Sequence, residues 1–144
     1  MTDLGILFEY LWQDNDMIEL GVKARSACFQ GRTQLSVGRD ELSAVARHLA
    51  DYPRNKEDVR EVLLGDLAPN SFGGLQFSLR IIDMAGHAIL TARLKGNRRD
   101  NLPLYEECTL VAPLEPAAID TFLPALRLIE ANLGGSAMLR IIPA

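Results

Sequence analysis

EPAAIDTFLPALRLIEANL, residues 115–133, spaces Ile119, Phe122, Leu123, Leu126 and Ile129 at i, i+3, i+4, i+7 and i+10. That is the repeat of one face of an α-helix. Pro116 suits the first helical position, where its missing N–H leaves no bond unmade, and Gly134-Gly135 supplies a stop. Pro124 falls inside the pattern, which predicts a kink or a tightened first turn. The helix is ~27 Å long. An apolar stripe of that length needs a sheet to lie on, and most of the remaining chain reads as one.

After the helix, Ala137–Ile142 reads as a final strand. At the other end, residues 4–12 alternate with Ile6, Phe8, Tyr10 and Trp12 on one face, and residues 17–29 with Ile18, Leu20, Val22, Ala24, Ser26 and Cys28. A three-residue Asp14-Asn15-Asp16 loop pairs Trp12 with Ile18, Tyr10 with Leu20 and Phe8 with Val22, apolar on apolar. A two-residue turn at Gln30-Gly31 sets Cys28 against Thr33, Ser26 against Leu35 and Ala24 against Val37. These residues are small, so a helix could approach that part of the sheet closely. The next helix follows at once: Gly38 is the expected N-cap, Glu41 sits at N3, and Leu42, Val45, Ala46 and Leu49 form the stripe. It ends near Tyr52-Pro53.

A short strand near 59–64 and the turn-rich 68–74 come next. Leu75, Phe77, Leu79 and Ile81 then alternate, and after a turn at Met84–His87 so do Ala88, Leu90, Ala92 and Leu94. A three-residue loop brings Phe77 opposite Arg93 and scrambles the faces. An even loop gives Phe77 to Leu94, Leu79 to Ala92 and Ile81 to Leu90, and is preferred. The charged connection 95–101 leads to a last meander strand, about 103–113. The expected fold is thus α+β, in the order βββ-α-ββββ-α-β. It is a largely antiparallel, curved meander sheet of about seven to eight strands with two helices packed on it, one domain over residues 1–144.

Apolar content of 48% against 24% charged suits a chain with a real core. A net charge of −4 argues against a dedicated nucleic-acid binder, which carries a basic face. No apolar run is long enough to span a membrane, and Asp3 and Glu9 interrupt what would be a signal sequence, so the expected location is cytoplasmic. Cys28 and Cys108 lack paired spacing and fall at apolar strand positions, which predicts buried thiols.

Candidate chemistry is sparse. Asp83 and His87 share a turn and could orient a base, but no nucleophile signature accompanies them, and local turn hydrogen bonding explains them better. Neither His48 nor His87 has a partner at ligand spacing, so no metal, cofactor or catalytic residue is assigned. Gly73-Gly74 precede a strand rather than open a helix and are not a phosphate loop. Tyr10 and Trp12 alternate with Ile6 and Phe8 and are read as core; Trp12, at the sheet's end, is also a candidate partner contact. Asp14 and Asp16 at the hairpin tip, with Arg98 and Arg99, complete the candidate partner-binding set. Lys95, Arg98 and Arg99 are read first as a solvated hairpin loop.

Three stretches together, FEYLWQDNDMIEL at 8–20, DMAGHA at 83–88 and EPAAIDTFLPALRLI at 115–129, resemble a group of small bacterial proteins. Some relatives of that group are classed with immunity proteins of contact-dependent toxins, the WapI-like kind. The shared motifs are structural, and they imply no catalytic residue. The group tends to place Ser at the cap of the first helix, with an acidic residue three positions on. This chain has Gly38 there.

The expected function is that of a non-enzymatic bacterial interaction protein, of immunity type, that binds a toxin or other partner protein with a basic surface. The alternative is a small apolar-ligand binding protein with a cavity between the sheet and the C-terminal helix. An enzyme using Asp83 and His87 ranks third.

Overall fold

A computed structural model describes residues 3–98 and 105–143. It contains strands β1 (Gly5–Gln13), β2 (Met17–Arg25) and β3 (Gln30–Gly38), helix α1 (Glu41–Leu49), strands β4 (Arg60–Gly65), β5 (Gly74–Ile81), β6 (Ala88–Lys95) and β7 (Glu107–Leu114), helix α2 (Ala117–Asn132) and strand β8 (Ser136–Arg140). The fold is α+β and wholly antiparallel in its pairings, in the expected order of elements. The start of the expected 103–113 strand lies outside the described residues.

The strands form two four-stranded sheets rather than one, in the orders β3-β2-β1-β8 (sheet A) and β4-β5-β6-β7 (sheet B). A side-chain junction between them lies at the free edge of β3. There the side chain of Asn97, on the chain leaving β6, takes the place of a neighbouring strand. Its Oδ1 accepts from the Gln34 N–H at 2.9 Å and its Nδ2 donates to the Gln34 carbonyl at 2.7 Å. One primary amide thus reads both backbone groups of Gln34 as a paired peptide would. The same Nδ2 donates to the Phe72 carbonyl at 3.1 Å, tying the β4–β5 loop to that edge.

One core unites both sheets and both helices. Helix α2 lies against sheet A, where the Phe8 and Phe122 rings stand 5.5 Å apart, and all five residues of its predicted stripe are buried. The buried face of α1 is likewise the predicted set of Leu42, Val45, Ala46 and Leu49. At the other end of sheet A, Ala24 and Ile6 meet Leu90, Ala92, Leu110 and Ala112 of sheet B around a space of only ≈ 10 Å³. There the small Ala24 admits a second sheet rather than a helix.

Helix ends depart from expectation in detail. Asp40, not Gly38, is the N-cap of α1, so Glu41 is the first helical residue and not N3; its side chain nevertheless accepts from the Gly38 N–H at 3.0 Å, holding the chain that enters the helix. The C-terminus of α1 faces the Arg60 guanidinium, which donates to the carbonyls of His48 and Ala50 at 3.0 and 2.6 Å. In α2, Pro116 is the N-cap and not the first helical residue, and Leu133 itself takes the left-handed conformation ahead of Gly134.

Registers keep the predicted faces and shift along the strands. The β2–β3 ladder pairs Val22 with Thr33 and Leu20 with Leu35, because Ser26–Phe29 form the turn and the strand stops at Arg25. The Ser26 hydroxyl accepts from the Phe29 and Cys28 N–H groups at 3.2 and 3.4 Å, closing that turn early. Cys28 is exposed there, not buried, and Cys108 is half-buried against Gly31. In β5–β6, Phe77 pairs with Ala92 and Leu79 with Leu90, two residues from the expected register but with even parity, which preserves the core face.

Candidate functional site

The β1–β2 hairpin end holds three of the five predicted contact residues, and a backbone irregularity decides what they present. Phe8 pairs with Val22 and Tyr10 with Leu20 as expected. Trp12 then pairs with Glu19 rather than Ile18, because the register shifts by one between Tyr10 and Trp12. The extra residue is Leu11. Such a bulge carries two successive side chains to one side of the ladder. Trp12 is therefore removed from the core face of Ile6 and Phe8 and is 52% exposed, with Leu11 at 43%. The expectation of Trp12 as core is corrected: its side chain is exposed. Leu11 lies over Gly21, whose missing side chain leaves room for it. Gln13 then faces inward opposite Ile18, where its Oε1 is buried without a hydrogen-bond partner.

Met17, 38% exposed, continues the apolar surface around the turn. The turn itself is built by Asp14, whose Oδ1 accepts the N–H groups of Asp16 and Met17 at 3.0 and 2.9 Å. Those two donors, and then the nearby Arg39 charge, hold the Asp14 carboxyl below the usual carboxylate range. Asp14 is thus committed to the turn. Asp16 is exposed and makes no side-chain hydrogen bond among the described residues, and Glu19 stands opposite Trp12. The result is an apolar surface of Leu11, Trp12 and Met17 rimmed by Asp16 and Glu19.

The basic half of the predicted set is elsewhere. Arg98 lies beyond the β3 edge, two strands away from β1, where its N–H donates to the Phe72 carbonyl at 2.9 Å and its Nη1 to the Asn70 carbonyl at 3.4 Å. Arg99 lies outside the described residues. Lys95, expected in a solvated loop, is instead 0% exposed. Its Nζ donates to the carbonyls of Ser71 and Gly96 at 2.6 and 3.1 Å and lies 5.9 Å from the centre of the Tyr105 ring. It ties the loops of sheet B together.

Asp83 and His87 do meet. His87 Nδ1 is 2.6 Å from Asp83 Oδ2, while Asp83 Oδ1 accepts the N–H groups of Ala85 and His87. Their hydrogen bond and opposite charge lower the Asp83 pKa and raise that of His87. Both side chains are half-exposed, and among the described residues no Ser, Thr or Cys side chain hydrogen-bonds the imidazole. Among the described residues, no three His, Cys, Asp or Glu side chains are arranged to hold a metal ion, and no helix is long and apolar enough to cross a membrane.

Sequence reasoning missed Leu11, Met17 and Glu19 as members of the surface. The available signal was Leu11-Trp12, two large apolar residues in succession immediately before a polar turn, which strict alternation cannot place on one buried face. No protein-family model matches the chain, and comparison with curated proteins finds no significant match.

Proposed function

We propose that this is a non-enzymatic interaction protein of bacterial immunity type. It engages a partner protein with a basic surface through the end of the β1–β2 hairpin. The observation that carries the reading is the bulge at Leu11, which turns Trp12 to solvent beside Leu11 on a strand whose Ile6 and Phe8 are buried in the core. Aromatic residues on rigid elements make strong anchors because they bury a large area at little entropic cost. Asp16 and Glu19 supply the acidic rim that complements a basic partner. The alternative, an apolar-ligand cavity between the sheet and the C-terminal helix, has weaker support, because the cleft beside α2 is lined largely by the polar side chains of Arg39, Asp40, Ser43, Arg127 and Glu130.

The test is affinity capture from the native host with wild-type, Trp12→Ala and Arg80→Ala baits, quantified by mass spectrometry. The expected outcome is one basic protein recovered by wild-type and Arg80→Ala baits and reduced at least tenfold with Trp12→Ala, as for an anchor worth about 2 kcal/mol or more. Equal recovery by all three baits would remove the hairpin end from the interface.

A further inference from the structure

The face of sheet A that turns away from the core carries a second feature, at the end opposite Trp12. The register aligns Gln30, Arg25, Gly5 and Arg140 in one row across the four strands, and Arg32, Lys23, Leu7 and Met138 in the next. Their strand neighbours Ala24, Ile6 and Leu139 are buried, so alternation places both rows on the outer face. Gly5 pairs with Arg25 on one side and Arg140 on the other. With strands ~4.8 Å apart, two arginine Cα atoms lie ~10 Å apart across a position that has no side chain. A concavity of ≈ 540 Å³ opens there, with Gly5 and Leu7 in its floor and Lys23, Arg25 and Arg140 around it.

The charge at this end runs against that of the whole chain. The protein carries −4 overall, yet Lys23, Arg25, Arg32 and Arg140 gather here against two acids. Asp3 bridges Arg140 at 2.9 Å and Glu9 bridges Lys23 at 3.5 Å. Among the described residues, no carboxylate lies within ion-pair distance of Arg25 or Arg32. The Asp3 carboxylate on Arg140 marks where an anion sits at this rim.

We propose that the concavity is a binding site for a small molecule with a doubly charged anionic head. The head lies between the guanidinium groups of Arg25 and Arg140, within reach of Lys23, and an aliphatic body rests on Leu7 and Met138. Guanidinium groups present paired N–H donors that match phosphate and carboxylate oxygens, and two of them from opposite sides favour a dianion over a single charge. A phosphate monoester and a dicarboxylate share this chemistry. The site lies at the other end of the sheet from the hairpin surface and does not depend on the partner-binding reading.

The experiment is an amide NMR titration of the full chain, at constant low ionic strength, with inorganic phosphate in one arm and succinate in the other. Saturable shifts are expected at Gly5, Lys23–Arg25 and Met138–Arg140, with a dissociation constant of order ~1 mM for such minimal probes. Arg25→Ala and Arg140→Ala each weaken binding about tenfold, whereas Arg80→Ala, on the outer face of sheet B, leaves it unchanged. Tighter binding of phosphate assigns a phosphorylated ligand, and tighter binding of succinate a dicarboxylate. The proposal is overturned by shifts spread evenly over the exposed cations, by no shift with either probe, or by unaltered affinity in a folded Arg25→Ala variant.

Discussion

Sheet A ends in a free edge at β3 and breaks its ladder once, in β1, and the molecule treats the two places in opposite ways. Where β3 runs out of strand partners, the edge is closed from within. Asn97 satisfies both backbone groups of Gln34, and Gly73 fits so tightly that a β-carbon there would stand 2.2 Å from the Gln34 carbonyl oxygen. Where β1 bulges, nothing closes over it. Leu11 and Trp12 are left in solvent beside Asp16 and Glu19. The edge joins two sheets, and the irregularity makes a surface. The difference separates residues that hold the fold from residues available to a partner, and substitutions at the two places should separate in the same way.

The largest effect is expected at the closed site. In Gly73→Ala the new methyl also meets Asn97 Nδ2 at 2.6 Å and Thr33 Oγ1 at 2.7 Å, so backbone must move and the sheet junction opens. A loss of roughly 3 kcal/mol or more in urea unfolding is expected. Gly21→Ala is the matched control at the open site. Its β-carbon meets only Leu11 side-chain carbons, at 3.6 Å and beyond, and the stability change should stay within about 0.5 kcal/mol. Equal costs for the two alanines would erase the distinction between closed and open.

Next in size is the amide that imitates a strand. Asn97→Ala removes three hydrogen bonds and should cost about 1–3 kcal/mol. Asn97→Asp sharpens the test. It keeps the acceptor for the Gln34 N–H but turns a carboxylate oxygen toward the Gln34 and Phe72 carbonyls, so at neutral pH it should be no more stable than the alanine variant. An aspartate variant as stable as wild type would mean that the donor half of the amide contributes nothing.

The sequence showed the closed and open sites unequally, for physical reasons. Periodicity is set by burial, so both helices, their buried faces and the core sides of β2, β3, β5 and β6 were legible in the alternation of Leu75–Ile81 or the spacing of Ile119–Ile129. Registers were legible only to parity, because an even slip, as at Phe77, leaves every apolar side chain on the core face. The junction of the two sheets was hidden, since there one asparagine reaches 63 residues back along the chain to Gln34. The bulge was hidden for a related reason: a single inserted residue breaks the alternation only at Leu11-Trp12, too short a stretch to outweigh the Ile6–Phe8–Tyr10 pattern before it. The basic row was invisible because Arg25 and Arg140 become neighbours only through the pairing of β1 with both β2 and β8.

The smallest effect compares the two Asp-built turns. Asp83 accepts two turn N–H groups as Asp14 does, but the strands it joins are unbroken and its second oxygen is taken by His87 rather than left beside an apolar surface. That pairing raises the His87 pKa above its ordinary 6.5 and lowers that of Asp83 below 3.8, the shared hydrogen bond being the largest cause of both. The stabilisation from the raised histidine is complete below pH 6.5 and is lost as pH rises through its elevated value in the folded protein. The contribution of Asp83 is present above 3.8 and is lost as pH falls through its own lowered value. NMR titration should therefore place the wild-type His87 midpoint above 6.5 and that of Asp83→Asn close to it. Both groups are well exposed, so solvent screens the pair and the global stability of Asp83→Asn should change little. A wild-type midpoint already at 6.5 would show that the turn holds its shape through the two backbone bonds alone, which would make it a closer twin of the Asp14 turn.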